Sequence, residues 1–147
     1  MNEEELREVG HEIKVVSNLM RRKLLQVPEF DTWANLTDNQ GWIIKYLYKH
    51  RDRDVYQRDL ETAFSIRPST VTGMIQLMEK NGLVVREAVE SDARLKKIVL
   101  TEKAIQLKQN VENTLERFEA ALTRGISEEE KDQFFRIMHK IKENLNN

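Results

Sequence analysis

Residues 56–80 read YQRDLETAFSIRPSTVTGMIQLMEK, and the proline near the middle limits what this stretch can become. Pro68 lacks an amide hydrogen and has a fixed φ, so a helix running through it would lose a bond and clash with the turn before. At the first position of a helix neither cost arises. The stretch therefore reads as two helices, one over 56–64 and one starting at Pro68, with Ser65, Ile66 and Arg67 as the turn between them. So short a connection makes a helix-turn-helix corner. The first helix should turn Leu60, Ala63 and Phe64 inward. The second should bury Val71, Met74, Ile75 and Met78, and Asn81-Gly82 should end it, glycine supplying a left-handed cap.

The outer face of the second helix is unusual for this chain. Opposite the apolar stripe lie Ser69, Thr72, Gly73, Gln76 and Lys80 at steps of three and four, with Thr70 beside them and Arg67 just ahead. Charged residues make up 33% of the protein, so an ordinary solvated face would hold more Glu and Lys. Small hydroxyls, an amide and a glycine suit close approach to base edges in a major groove. The helix N-terminus favours phosphate. The competing reading is a plain solvated face.

Two runs rich in Val, Ile and Leu follow, LVVREA and KKIVL, and read as a hairpin. The segment joining them, SDARLKKIV at 91–99, carries Asp92, Arg94, Lys96 and Lys97, and no acid falls within 94–97. A hairpin directly after a helix-turn-helix makes a winged helix. Its basic tip can reach an adjacent minor groove, where arginine is favoured by concentrated negative potential. Arg94 is then the probe, Asp92 its orienting partner, and Lys96 and Lys97 candidate phosphate contacts. Against this stands the common case of a surface ion pair that contributes little.

The flanks are helical. Leu6, Val9, Ile13, Val16, Met20 and Leu24 form one stripe over 3–26, ended by Val27-Pro28. Thr37 and Gln40 fit a capping box for a helix to about His50 that carries Trp42, Tyr46 and Tyr48. A long helix over about 101–124 has Ala104, Leu107, Val111, Leu115, Phe118 and Leu122 on one side. Ser127 opens the last helix with a second capping box, and Phe134, Phe135, Met138, Ile141 and Leu145 follow. The small central lobe cannot cover stripes at both chain ends, which fits an intertwined helical dimer.

Composition narrows the chemistry. The 147 residues contain no cysteine, which excludes disulfides, thiolate metal sites and a cysteine nucleophile. His11, His50 and His139 are too far apart in sequence for a metal spacing, and no metal or cofactor is expected. The five glycines are isolated, so no phosphate-cradling loop is present, and no nucleophile–base pair or paired carboxylates stand out. An enzyme is not expected. No window approaches the roughly 18 apolar residues of a membrane span. The start, MNEEELREVG, lacks the features of a signal peptide, and a cytoplasmic location is expected. Net charge is −1, so any nucleic-acid contact must come from local rather than overall positive charge.

The segment QRDLETAFSIRPSTVTGMIQLMEKNGLVVRE followed by SDARLKKIVLTEKA resembles the MarR family of bacterial winged-helix regulators. The resemblance rests on Asp92-Ala93-Arg94 in the wing, Leu100-Thr101 closing the strand, and Glu102-Lys103 opening a long helix. Gly73 and Gln76 stand where the family often has larger or charged side chains. The resemblance implies a mainly α fold with a small β-hairpin wing. It places a winged helix-turn-helix DNA-binding lobe at 37–100 and a helical dimerisation region at 1–36 and 101–147. It implies a homodimeric regulator, a repressor, acting on a pseudo-palindromic double-stranded operator. It also implies release by a small aromatic or lipophilic effector, for which His11, Trp33, Trp42 and Tyr46 are candidate lining. The alternative is a winged-helix adaptor that contacts proteins and not DNA.

Overall fold

The structure, a computed structural model, describes residues 6–27 and 38–147. Its elements run α1 (Val9–Leu25), α2 (Asp38–Lys49), α3 (Gln57–Phe64), α4 (Pro68–Lys80), β1 (Val84–Val89), β2 (Asp92–Leu100), α5 (Glu102–Leu122) and α6 (Glu128–Asn146). The fold is mainly α, with one two-stranded antiparallel sheet. The chain divides into two compact units, Met1–Asn113 and Thr114–Asn147. α1 begins later than its stripe suggests, because Glu8 is extended (φ −115, ψ 134) and offers no side-chain cap. The Thr37 capping box lies outside the described residues.

In the first unit, Ile43, Ile44 and Leu47 from α2 join Leu60, Val71, Ile75 and Met78 from the helix-turn-helix. Leu83 and Val84 at the hairpin base, Ile98 on β2, and Ala104 and Val111 on α5 complete this core. Apolar burial at about 25 cal/mol per Å² is the main favourable term. Val55 is buried, and its carbonyl accepts the Ile98 amide at 2.8 Å, so the loop between α2 and α3 is tied to β2. Leu60 is the fully buried residue of α3; Ala63, expected inward, is exposed. Phe64 shares the Leu60 side of the helix four residues on, and its ring meets Tyr46 edge-on at 5.8 Å. Met74 is only half-buried.

Both helices of the corner stop the same way. After α3, Ser65 takes a left-handed conformation (φ 51, ψ 49), and the Ile66 amide reaches back to the Glu61 carbonyl at 3.1 Å. After α4, Gly82 has φ 74 and the Leu83 amide reaches back to Met78 at 2.9 Å. This pattern satisfies carbonyls that the helix end would leave unpaired. Pro68 sits in the first turn of α4, where its ring belongs.

The start of α5 is fastened to the end of α4. Thr101 donates its hydroxyl to the Gly82 carbonyl and accepts the Ala104 amide, while the Lys103 ammonium donates to the Asn81 carbonyl at 2.9 Å. Lys108 is largely buried, its ammonium 2.8 Å from Glu112 and 3.9 Å from the Tyr48 ring centroid. A buried cation needs such partners, because leaving one unpaired in the interior is expensive.

In the second unit, α6 is opened by the predicted capping box. Glu130 donates its amide to the Ser127 hydroxyl at 3.1 Å, and Ser127 returns its amide to the Glu130 carboxylate at 3.0 Å. The Ser127 backbone amide, and then its hydroxyl, hold the Glu130 carboxyl below the usual carboxylate range. This contribution is present above the ordinary Glu pKa and is lost as pH falls through the lowered one.

Neither α1 nor α6 buries a residue. On α1, Val9, Ile13, Val16 and Leu19 are exposed. On α6, Phe134, Phe135, Ile137 and Leu145 are exposed, Leu145 at 79%.

The two left-handed stops predict opposite outcomes for exchanging their side chains. Gly82→Ala destabilises the protein by about 1 kcal/mol, the cost of a Cβ in that conformation. Ser65→Gly stabilises it by up to about 1 kcal/mol, less the added freedom of the unfolded chain. Urea midpoints at constant slope read both, and equal signs for the two changes would refute the shared geometry.

Candidate nucleic-acid interface

α4 presents the polar face that its sequence describes. Ser69, Thr70, Gly73, Gln76 and Lys80 are exposed, and Arg67, the residue before the helix, is exposed with no side-chain cap bond. Arg67 and Lys80 make no ion pair among the described residues. Thr72 differs from its neighbours. It is half-buried, its hydroxyl donates to the Pro68 carbonyl at 2.9 Å, and its oxygen accepts the Gln57 amide at 2.7 Å. Gln57 also donates to the Pro68 carbonyl at 3.2 Å. Thr72 thus has its proton committed inside the lobe. Gln57 is a residue that the sequence pattern did not single out, since helical periodicity says nothing of a bond across fifteen residues.

At the same N-terminal end of α3, the Asp59 carboxylate accepts the Tyr56 amide at 2.8 Å and lies 4.0 Å from the Arg53 guanidinium. Arg53 also donates to the Tyr46 hydroxyl at 2.9 Å. On the far side of α4, Arg86 of β1 meets Glu79 through two nitrogens, at 3.2 and 3.4 Å.

The wing is built differently from a plain charged loop. The turn is at Glu90-Ser91, and Asp92 already belongs to β2. Val89 pairs with Asp92 and Ala88 with Lys96, so one step on β1 spans four on β2. Ala93, Arg94 and Leu95 have no cross-strand partner. They form a bulge, the device by which a strand re-aims a side chain. Its cause is local: Asp92 accepts the Arg94 backbone amide at 2.9 Å, taking that amide from the ladder. The same oxygen lies 3.5 Å from the Arg94 Nε. The Arg94 side chain is 94% exposed. Val84 and Ile98, at the base of the hairpin, are buried, while Val85, Arg86, Glu87 and Ala88 on β1 and Arg94, Leu95 and Lys96 on β2 are exposed.

The two wing lysines have separate environments. Lys96 is exposed and makes no ion pair among the described residues. Lys97 is half-buried, with Asp54 at 3.6 Å and Glu87 at 3.8 Å. Its charge is already answered within the lobe, which distinguishes it from a lysine offered to phosphate.

Three of the four candidate effector residues, His11, Trp42 and Tyr46, lie among the described residues. His11 is exposed and lies 3.7 Å from Glu12. Trp42 is 51% exposed, with the Lys45 ammonium 4.8 Å from its ring. Tyr46 contacts His50 and Phe64. Trp33 lies outside the described residues. A cleft of about 220 Å³ opens between α2, β2 and the start of α5, with Leu47, Val55, Lys97, Ile98 and Leu100 among its walls; His11, Trp42 and Tyr46 do not line it. No helix among the described residues is long and apolar enough to cross a membrane.

A helix-turn-helix followed at once by a two-stranded hairpin is a winged helix, and its exposed helix and wing mark a DNA-binding transcription regulator. The family model for the MarR family matches residues 34–95. The transcription regulator MarR from Oenococcus oeni PSU-1 is 32% identical, with 92% of this chain and 99% of that one covered and a TM-score of 0.79. The S. aureus MepR–DNA complex is 25% identical over 94% of this chain and 96% of that one, at 0.80. The haem sensor PefR from Streptococcus agalactiae, in complex with haem, is 26% identical over 95% of each chain, at 0.64. The chain belongs to the MarR family, whose members are transcription regulators and not enzymes.

The bulge predicts a local exchange signature. Asp92→Ala frees the Arg94 amide and speeds its hydrogen exchange about 10-fold, the equivalent of one hydrogen bond, while global stability moves by less than about 1 kcal/mol. An unchanged Arg94 exchange rate would show that the Asp92 carboxylate does not hold the bulge.

Proposed function

We propose that this protein is a repressor that binds a pseudo-palindromic operator as a homodimer in the cytoplasm. The observation that carries the reading is a pair of adjacent exposed elements. The mostly uncharged polar face of α4 is followed directly by a wing whose bulge presents a 94% exposed arginine side chain. Ser69, Thr70 and Gln76 suit base edges in the major groove, and Arg67 and Lys80 suit phosphate. Thr72 supports that face from behind. Arg94 suits the minor groove beside it, with Asp92 fixing its backbone and Lys96 within reach of phosphate. Lys97 is assigned the smaller part, because Asp54 and Glu87 already hold it. That MepR was solved with DNA supports the same assignment.

The dimer is supported by the apolar faces of α1 and α6, on which no residue is fully buried within the chain. On this reading residues 37–100 are the DNA-binding lobe, and residues 1–36 with 101–147 are the dimerisation region. Two copies of α4 would then meet successive major grooves about 34–36 Å apart. The effector reading is that a small aromatic or lipophilic compound releases the operator, with Trp42, Tyr46, His11 and Trp33 as its lining. The exposed Trp42 ring and the haem bound by PefR support it.

Three outcomes follow at the operator. Arg94→Ala weakens binding by about 10- to 100-fold, or 1–3 kcal/mol. Lys96→Ala flattens the slope of affinity against salt by about one unit or less, and Lys97→Ala leaves it unchanged. Fluorescence anisotropy with the promoter DNA beside the protein's own gene, repeated over a salt series, reads all three. Full affinity in a folded Arg94→Ala dimer would sink the wing assignment, and no salt-dependent DNA binding at all would favour the adaptor reading. Phe135→Glu should shift the protein from dimer to monomer in sedimentation; an unchanged dimer would remove α6 from the interface.

A further inference from the structure

We infer that Gln57 is a positioning residue that sets the aim of the first turn of α4, and with it the sequence discrimination of the protein. The inference rests on the DNA-binding reading. Gln57 is the first residue of α3, and Pro68 is the first residue of α4. Its amide nitrogen reaches the Pro68 carbonyl at 3.2 Å and the Thr72 hydroxyl oxygen at 2.7 Å, and Thr72 donates to that carbonyl at 2.9 Å. The proton arrangement has one consistent solution. A carbonyl only accepts, so the Gln57 nitrogen, not its oxygen, must face Pro68. The single Thr72 proton goes to the same carbonyl, so the Thr72 oxygen must accept from Gln57.

The two helices are otherwise joined by the turn at Ser65–Arg67 and by apolar packing at Leu60, Val71 and Ile75. The one-sided apolar stripe sets which face of α4 is inward, but contacts without direction leave small rotations of the helix about its axis less well fixed than a hydrogen bond does. The three-way tie supplies direction where Ser69 and Thr70 begin the polar face. Without it, phosphate contacts persist and base contacts lose alignment. The consequence is loss of discrimination at several base pairs together, with general affinity for duplex kept.

The test measures affinity for the operator, for each single-base variant of it, and for random duplex. Gln57→Leu and Thr72→Val should each lower operator-to-variant ratios by roughly 3- to 10-fold, the scale of one lost hydrogen bond, with binding to random duplex unchanged. Thr72→Ser keeps the hydroxyl and should retain the native ratios. The double variant should be no worse than either single one, because each change breaks the same tie. If Gln57→Leu does not fold, Gln57→Asn, one methylene too short to span the gap, reads the same quantity.

Native ratios in Gln57→Leu and Thr72→Val, loss confined to one base pair, or losses that multiply in the double variant would each overturn the inference. A loss confined to one base pair would make the residue a direct base reader. A native protein that binds no duplex in a salt-dependent way would overturn the DNA reading as well. A native protein that discriminates while Gln57→Leu does so equally overturns this role alone.

Discussion

The bond from the Thr101 hydroxyl to the Gly82 carbonyl is the fastening on which the arrangement of the lobe depends. Gly82 ends α4 and Thr101 begins α5, so this bond and that from Lys103 to Asn81 clamp one end of α4 to a long helix. Gln57 holds the other end through Pro68 and Thr72. A helix held at both ends by directional bonds, and along its length by buried Val71, Ile75 and Met78, cannot slide or roll freely. That fixity permits a face of short side chains. Serine and threonine reach little beyond the backbone, so where they point is decided by where the helix is held.

The fold spends its apolar residues unevenly. The helix-turn-helix, α2, the hairpin base and the first part of α5 enclose a compact core, while no residue of α1 or α6 is fully buried. Isolated helices of this length gain most of their stability from packing an apolar face. Phenylalanines at 134 and 135, both more than half exposed, expose more apolar surface than a solvated helix needs. The physical pressure is toward covering them. In the proposed homodimer a second copy would do so symmetrically, and it would also set the spacing between the two copies of α4.

Much of this was legible in the sequence. Pro68 and Gly82 located both ends of α4, and Thr101 with Glu102 located the start of α5, because these positions answer local rules of backbone geometry. Ser65 was harder, since nothing but the shortness of the turn marks a serine as left-handed. The bulge at Arg94 was hidden because alternation and β-branching describe a strand without stating its register. Lys96 and Lys97 look alike in the chain, and only the cross-strand neighbour Glu87 and the distant Asp54 separate them. Gln57 was hidden for the same reason: its partner lies on another helix.

Charge placement gives these details one consequence. A protein of net charge −1 cannot attract DNA through its overall field. On the proposed reading its attraction comes from Arg67, Lys80, Arg94 and Lys96, exposed cations outside the ion-pair networks of the core. Lys97, Arg86 and Lys108 are instead tied to Glu87, Glu79 and Glu112 and hold the lobe together. With few phosphate contacts per lobe, non-specific binding should be weak, since that term scales with the phosphates neutralised. A weak non-specific background raises the share of affinity that must come from correctly aimed base contacts and from engaging two half-sites at once. On the proposed reading, the mostly uncharged face of α4, the clamps at its two ends and the exposed apolar faces of α1 and α6 are three answers to that one electrostatic constraint.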